Sequence, residues 1–233
     1  MKKVLFGIFA HPDDEGFGPS GTLYKAAQDG TEVNLILVTD GAASTNQDTH
    51  GDLAHDRLQE WRTSGALIGA KDMRALNYPD GELSNALYLE VAEKIIRHIK
   101  ATLESETDTE VELMTFEPGG ISGHLDHVAT SHITTYVYLK LRHIFLDSPV
   151  KVVNLRYFCL PETLAPHANT DWLYMPKGVP LHAVDQVVDI TDVYGKKLEI
   201  MRCHTSQKAD MEMILQSQSH LPDFKHEHFI YHK

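Results

Sequence analysis

The chain has 233 residues, 42% of them apolar and 23% charged, a composition and length suited to one globular core. No stretch approaches the ~18 apolar residues of a membrane span, which leaves no transmembrane, collagenous or disordered signature. Against 33 Asp+Glu stand 21 Lys+Arg, a formal net charge of −12, a field that repels nucleic acid and anionic membranes, and no basic run offsets it.

Met1-Lys2-Lys3 followed by the apolar run Val4 to Ala10 imitates a secretory signal. His11-Pro12-Asp13-Asp14-Glu15 interrupts the run before a cleavage site, so it reads as the first strand of a cytoplasmic protein. Thr22 to Gln28 carries helix formers up to a stop at Gly30. Val33 to Val38 is a second strand ending at Thr39-Asp40-Gly41, and a polar loop rich in Ser, Thr, Asn and Asp leads to a helix from Asp52 to Ile68. Met73 to Leu76 is a weak third strand. Asn85 opens a helix with Leu89, Ala92, Ile95, Ile96 and Ile99 at helical spacing, and Glu112 to Phe116 follows as a strand. Pro118, Gly119, Gly120 and Gly123 predict a loop, then come a helix from Asp126 to Phe145 and a strand from Val150 to Phe158. This alternation predicts an α/β fold with a mostly parallel sheet and helices on both faces.

Beyond Phe158 the rhythm changes, and Pro161, Pro166, Pro176 and Pro180 punctuate an irregular C-terminal elaboration. A short apolar run, Val184 to Ile190, precedes helix-like stretches at Asp192 to Cys203 and Gln207 to Leu215, then a polar tail in which His226, His228 and His232 are expected to sit on the surface or make ordinary hydrogen bonds. With no linker or repeat, residues 1–233 are expected to form a single domain. Cys159 and Cys203 form no C-x-x-C pair, which fits a reducing compartment and excludes a thiolate metal site.

Ligands of open α/β sheets bind beyond the carboxyl ends of the strands, so chemistry is sought after Ala10. Gly16-Phe17-Gly18-Pro19-Ser20-Gly21 satisfies G-x-G-x-x-G, and Asp40 stands where a ribose-binding acid would be. Five residues nevertheless separate the strand's end from the first glycine. Asp13, Asp14 and Glu15 would also oppose a pyrophosphate by about 4 kcal/mol per close pair at an effective dielectric near 20. The sequence therefore argues against a dinucleotide. The competing motif is Ala10-His11-Pro12-Asp13-Asp14-Glu15, with the later loop Gly120-Ile121-Ser122-Gly123-His124-Leu125-Asp126-His127. Alone, the first could be an acidic turn capping a helix. In a parallel sheet, however, the two strand ends can lie side by side. They would then bring His11, Asp14, His124 and His127, with Asp13 and Asp126, to one rim as an imidazole and carboxylate set that suits zinc.

These residues resemble the LmbE/PIG-L family of metal-dependent N-acetylglucosaminyl deacetylases, whose signatures A-H-P-D-D-E and G-H-x-D-H both stand intact here. The similarity extends through Arg57-x-x-Glu60, Leu76 to Leu83 and His204-Thr205-Ser206-Gln207. The resemblance implies a Rossmann-like fold and His11, Asp14 and His127 as ligands of Zn2+, with Fe2+ as an alternative. It implies Asp13 as general base and His124 as the group that polarises the amide carbonyl. Asp126 would orient a histidine. Arg57 and Asp80 would contact substrate, although an Arg57–Glu60 pair is also an ordinary surface feature and Asp80-Gly81 an ordinary turn. His204 reads as structural. Some family members place a tyrosine where this chain has Ser122; backbone amides near Gly119-Gly120 could substitute.

The expected function is zinc-dependent removal of acetyl from an N-acetylated amino sugar or glycoconjugate, by water attack at the amide carbon. Alternatives are a metal-dependent amidase acting on another small conjugate, and a non-catalytic metal- or sugar-binding protein, for which Asp13 and His124 would be superfluous. The implied partner is a small N-acetyl sugar or glycoconjugate, with no nucleic acid and no membrane span; the chain could also form a homo-oligomer.

Overall fold

Apolar residues fill successive positions of the first strand because both of its faces are covered. The computed structural model describes residues 1–44, 51–165, 177–218 and 222–233. Its strands are β1 (Lys2–Phe9), β2 (Glu32–Thr39), β3 (Asp72–Tyr78), β4 (Thr109–Phe116), β5 (Val150–Cys159), β6 (Gln186–Asp189) and β7 (His226–Tyr231). Val4, Phe6 and Ile8 enter one core and Leu5 and Phe9 the other, the two-residue alternation of a strand buried on both sides.

The helices are α1 (Asp14–Phe17), α2 (Ser20–Gln28), α3 (Leu53–Ile68), α4 (Tyr88–Leu103), α5 (Gly120–Gly123), α6 (Leu125–Ile144), α7 (Tyr194–Met201) and α8 (Lys208–Gln218). Val91, Ile95 and Ile99 of α4 and Ile133, Val137 and Leu141 of α6 cover one face of the sheet. Leu23 of α2, Trp61 and Ile68 of α3 and Ile200 of α7 cover the other. Each such side chain, fully buried, contributes about 1.5–3 kcal/mol relative to exposure.

The single seven-stranded sheet runs β3-β2-β1-β4-β5-β7-β6. Its first five strands are parallel, and β7 is antiparallel to both β5 and β6. From β1 the chain winds outward to β2 and β3, then returns to the other side of β1 for β4. The crevice between the carboxyl ends of β1 and β4 is thus the place where the winding reverses, the site at which such sheets bind ligands. The two histidine motifs lie there.

The third helix begins where expected, because the Asp52 carboxylate accepts the His55 N–H at 3.1 Å, and it ends at Gly69 with φ 88°. The fourth starts at Tyr88 rather than Asn85, after a turn in which Leu87 N–H bonds to Ser84 O. The predicted polar tail is instead a strand, β7, inserted between β5 and β6. Its buried residues include Glu227 and His228, polar side chains that hide it from any hydrophobic pattern. The polar loop at positions 45–50, with Pro166 and Pro176, falls outside the described residues. Among the described residues no helix is long and apolar enough to cross a membrane.

Candidate metal centre

The end of β1 is pinned before the first motif turns away. Ala10 O accepts both the backbone N–H of Thr39, at 2.9 Å, and its hydroxyl, at 2.8 Å. The chain then turns sharply at Asp13, where φ is 140° and ψ −21°. After β4 the second motif is also bent, with Ile121 at φ 63° and ψ −61°. Positive φ at a non-glycine residue carries strain of order 1–3 kcal/mol and persists only where neighbours impose it. Glu117 imposes it on the second loop, accepting the N–H of Gly119 at 2.5 Å and of Ile121 at 2.8 Å. Arg57 acts on the first: Nη2 donates to Asp13 Oδ2 at 3.0 Å and Pro12 O at 2.9 Å, and Nη1 to Gly41 O at 2.7 Å.

Between the two loops, three donor groups converge. His11 Nδ1 lies 3.0 Å from His127 Nε2. His127 Nε2 lies 3.3 Å from Asp14 Oδ1, and His11 Nδ1 3.8 Å from Asp14 Oδ2. The opposite nitrogen of each ring is turned to an acceptor. His127 Nδ1 is 3.0 Å from Gly120 O; His11 Nε2 is 3.0 Å from Asp80 Oδ1 and 3.4 Å from Asp126 Oδ2. Assigned from these partners, both rings carry a proton on the outer nitrogen and direct the inner one at the other ring. His127 is stacked on Phe116 at 4.3 Å between centroids, and backbone N–H of His11 donates to Asp14 Oδ2 at 2.7 Å.

Asp126 is fully buried and also accepts the N–H of Gly81, at 2.7 Å, and of Leu83, at 3.3 Å. Asp80 accepts the N–H of Ala43 through its second oxygen. His124 stands edge-on to His11 at 4.6 Å and its Nδ1 accepts the N–H of Asp126. Burial and the neighbouring His11 and His127 lower its pKa, so the neutral ring carries its proton on Nε2. Besides this convergence, among the described residues two further groups place donor atoms within 4.8 Å of one another and could hold a metal ion: His11, His124 and His127, and His11, Asp80 and Asp126.

The electrostatics favour positive charge between the loops. Burial would lower the pKa of His11, but hydrogen bonds to Asp126 and Asp80 and the Asp14 charge outweigh it and raise it to about 10. The carboxylates at Nε2 also make the ring more basic at Nδ1, the nitrogen that a cation would take up. Burial opposes ionisation of Asp14 as well, yet His127 and His11 hold its carboxyl below the usual range. For Asp13, burial dominates and pushes it up to about 6, with Arg57 pulling down and Asp14 pushing up.

All eight residues singled out in the sequence therefore meet in one connected cluster. The guanidinium of Arg57 is buried and turned toward Asp13, not outward to Glu60; Glu60 instead accepts from Thr205 and Ser206. Sequence reasoning did not find Glu117, although an acid directly before Pro118-Gly119-Gly120 was a signal for a loop-clamping side chain. Nor did it find what the glycine-rich stretch does. The N–H groups of Gly21 and Thr22, at the start of α2, donate to the two carboxylate oxygens of Glu227 at 3.0 and 2.7 Å. A Cβ on Gly21 would come within 2.8 Å of Ile190 and 3.0 Å of Glu227, so this glycine admits the protein's own carboxylate where a dinucleotide fold seats a pyrophosphate.

A mostly parallel α/β sheet with histidines and carboxylates gathered at its topological switch point defines a candidate metal-dependent enzyme site. Residues 6–138 match the family described as PIG-L: GlcNAc-PI de-N-acetylase. A diacetylchitobiose deacetylase of Thermococcus kodakarensis is 31% identical over 216 residues, 89% of this chain and 70% of that protein. A 1D-myo-inositol 2-acetamido-2-deoxy-alpha-D-glucopyranoside deacetylase of Nocardiopsis dassonvillei is 25% identical over 233 residues, 86% of this chain and 83% of that one. The solved N,N'-diacetylchitobiose deacetylase of Pyrococcus horikoshii shares the fold, with a TM-score of 0.71 at 24% identity, over 99% of this chain and 84% of that one. The chain belongs to the PIG-L (LmbE-like) family and is an N-deacetylase of the hydrolase class.

Proposed function

We propose that this chain, acting as one domain, is a zinc-dependent enzyme that hydrolyses the acetamido group of an N-acetylated amino sugar or glycoconjugate. The observation that carries the reading is the convergence of His11 Nδ1, His127 Nε2 and the Asp14 carboxylate, 3.0 to 3.8 Å apart, beside an Asp13 held by Arg57. Donors bonded tetrahedrally to zinc at about 2.0–2.1 Å stand about 3.3 Å from one another, and the outer nitrogens of both rings are already partnered, so the donor set fits the ion. The group His11, Asp80 and Asp126 fits less well, because Asp126 is committed to two backbone N–H groups and both carboxylates face the nitrogen that carries the His11 proton. We assign them the task of fixing that ring's tautomer.

Bound by His11, Asp14 and His127, the ion would supply Lewis acidity to the acyl oxygen and to water; Fe2+ is the alternative metal. Asp13 takes the proton from the attacking water and passes it to the departing amine, a role suited to a carboxylate raised toward neutrality. Neutral His124 keeps its Nε2 proton and donates a hydrogen bond through it to the acyl oxygen as negative charge develops there. The amides of Gly119, Gly120 and Ile121, expected to stand in for a tyrosine at Ser122, are already bonded to Glu117, so they add no donor to the acyl oxygen. Acetate and a free amine are the products. By their descriptions one relative deacetylates diacetylchitobiose and the other a 2-acetamido-2-deoxy-glucopyranoside of inositol, which supports an acetylated sugar as the substrate class here.

The test is acetate release by the zinc- or iron-loaded protein from a panel of N-acetylglucosamine, its dimer and its glycosides, set against N-acetyl conjugates without a sugar. Turnover of the sugars is expected. Release from the non-sugar amides alone would replace this reading with a general amidase, and metal uptake without any turnover would reduce it to a binding protein.

A further inference from the structure

His204 is fully buried, and in sequence it is 189 residues from the turn it touches. Its Nε2 lies 3.1 Å from Oε1 of Glu15, and the same oxygen accepts the Ser64 hydroxyl at 2.5 Å. The other oxygen of that carboxylate, Oε2, accepts the backbone N–H of Asp13 at 3.3 Å. Glu15 is also fully buried, so these partners replace the water its charge would otherwise keep. The turn is shaped to receive the ring. A Cβ on Gly16 would stand 2.9 Å from His204 Nε2, and Phe17 meets the imidazole edge-on at 5.7 Å.

Asp13 occupies a backbone conformation, φ 140°, that an aspartate does not adopt unaided. Its carbonyl accepts the N–H groups of Gly16 and Phe17 within the turn, and two side chains hold it from outside: Arg57 on its carboxylate and Glu15 on its backbone N–H. The direction of the Glu15 carboxylate is in turn set from α3, by Ser64, and from the segment before α8, by His204.

We propose that His204 is a positioning residue for the hydrolysis: through Glu15 it holds the backbone of Asp13, and so aims the carboxylate that takes the proton. This rests on Asp13 being the base of the proposed reaction. His204 itself touches neither the three converging donor groups nor the acyl group, so its loss is felt in turnover rather than in metal retention or substrate binding.

The experiment compares wild type with His204→Met, which keeps volume without a donor, and His204→Gln, whose amide nitrogen can donate to Glu15 in place of Nε2. Metal content, kcat, KM and hydrogen exchange of the segment His11 to Phe17 are read on the same metal-loaded preparations. In His204→Met the segment exchanges faster and kcat falls by about tenfold or more, as displacement of a reacting group by a fraction of an ångström produces, with KM and metal content close to wild type. In His204→Gln both readouts return most of the way. Unchanged exchange in folded His204→Met overturns the proposal. So does faster exchange with undiminished kcat, or an equal kcat loss in the Met and Gln variants. Where His204→Met does not fold, Ser64→Ala removes the other donor to the same oxygen and is read the same way. If wild type releases no acetate, the hydrolysis reading fails while exchange still decides whether His204 holds the turn; if Asp13→Asn is inactive and His204→Met matches wild type, this proposal alone fails.

Discussion

Oε1 of Glu227 lies 2.7 Å from Nζ of Lys197, and both side chains are buried. The same carboxylate accepts the first N–H groups of α2, so one C-terminal side chain neutralises an interior ammonium and caps a helix beneath the first motif. Removing one partner of a buried pair leaves the other charged without compensation, at about 3–5 kcal/mol. Glu227→Ala is therefore expected to lower the melting temperature by about 6–20 °C, at about 2–4 °C per kcal/mol for a chain of this size, and Lys197→Met on that background to restore part of it. Melting curves of the three proteins check this; a double variant that melts no higher than Glu227→Ala would show that the two side chains do not act as a pair. NAD should give no saturable heat on titration, because Glu227 already sits at the helix start.

Elemental analysis tests the three proposed ligands. His11→Ala, Asp14→Ala and His127→Ala should each fail to retain the roughly one divalent ion of the wild-type protein, since each leaves an incomplete set of three. Asp80→Asn should retain it with affinity lower by about 10- to 100-fold, the usual effect of disturbing a partner of a metal-binding histidine. Undiminished metal in the first three variants would refute the ligand set.

Asp13→Asn keeps the volume and the Arg57 contact but removes the proton acceptor. It should keep its metal and lose most acetate release. His124→Ala should also keep metal while kcat falls by about 10²- to 10³-fold, the usual loss for one donor to a developing oxyanion. Both are measured as turnover per metal-loaded, folded molecule. Near-normal turnover in Asp13→Asn would overturn the assignment of the base.

The pKa of His204 is raised: burial acts against it, but the charge and hydrogen bond of Glu15, with Asp13 and Glu60 farther off, prevail. A histidine whose pKa is higher folded than unfolded contributes its stability in full below the unfolded value, about 6.5, and loses it as pH climbs through the folded value. The gap in unfolding free energy between wild type and His204→Gln should thus be widest below about pH 6.5 and narrow as pH rises above it. Urea denaturation across that range measures it, and a gap independent of pH would contradict the coupling.

The β-α alternation and both histidine motifs were legible in the sequence, because a strand buried on two faces reads as an unbroken apolar run and because metal-ligating residue types were adjacent at two strand ends. The helix starting after Asp52 and ending before Gly69 was legible for the same local reason, its cap residues. Three things were decided only in three dimensions. His226 to Tyr231 became an interior strand because β5 and β6, distant in sequence, supplied its backbone partners. Arg57 turned inward because the strained Asp13 carboxylate and two carbonyls lay within reach of α3. His204 met Glu15 because α7 packs beside α1 and α3, delivering the segment that follows it to the motif turn. Local pattern records propensity and burial, whereas the partner of a buried charge is set by which distant segments the folded sheet brings side by side.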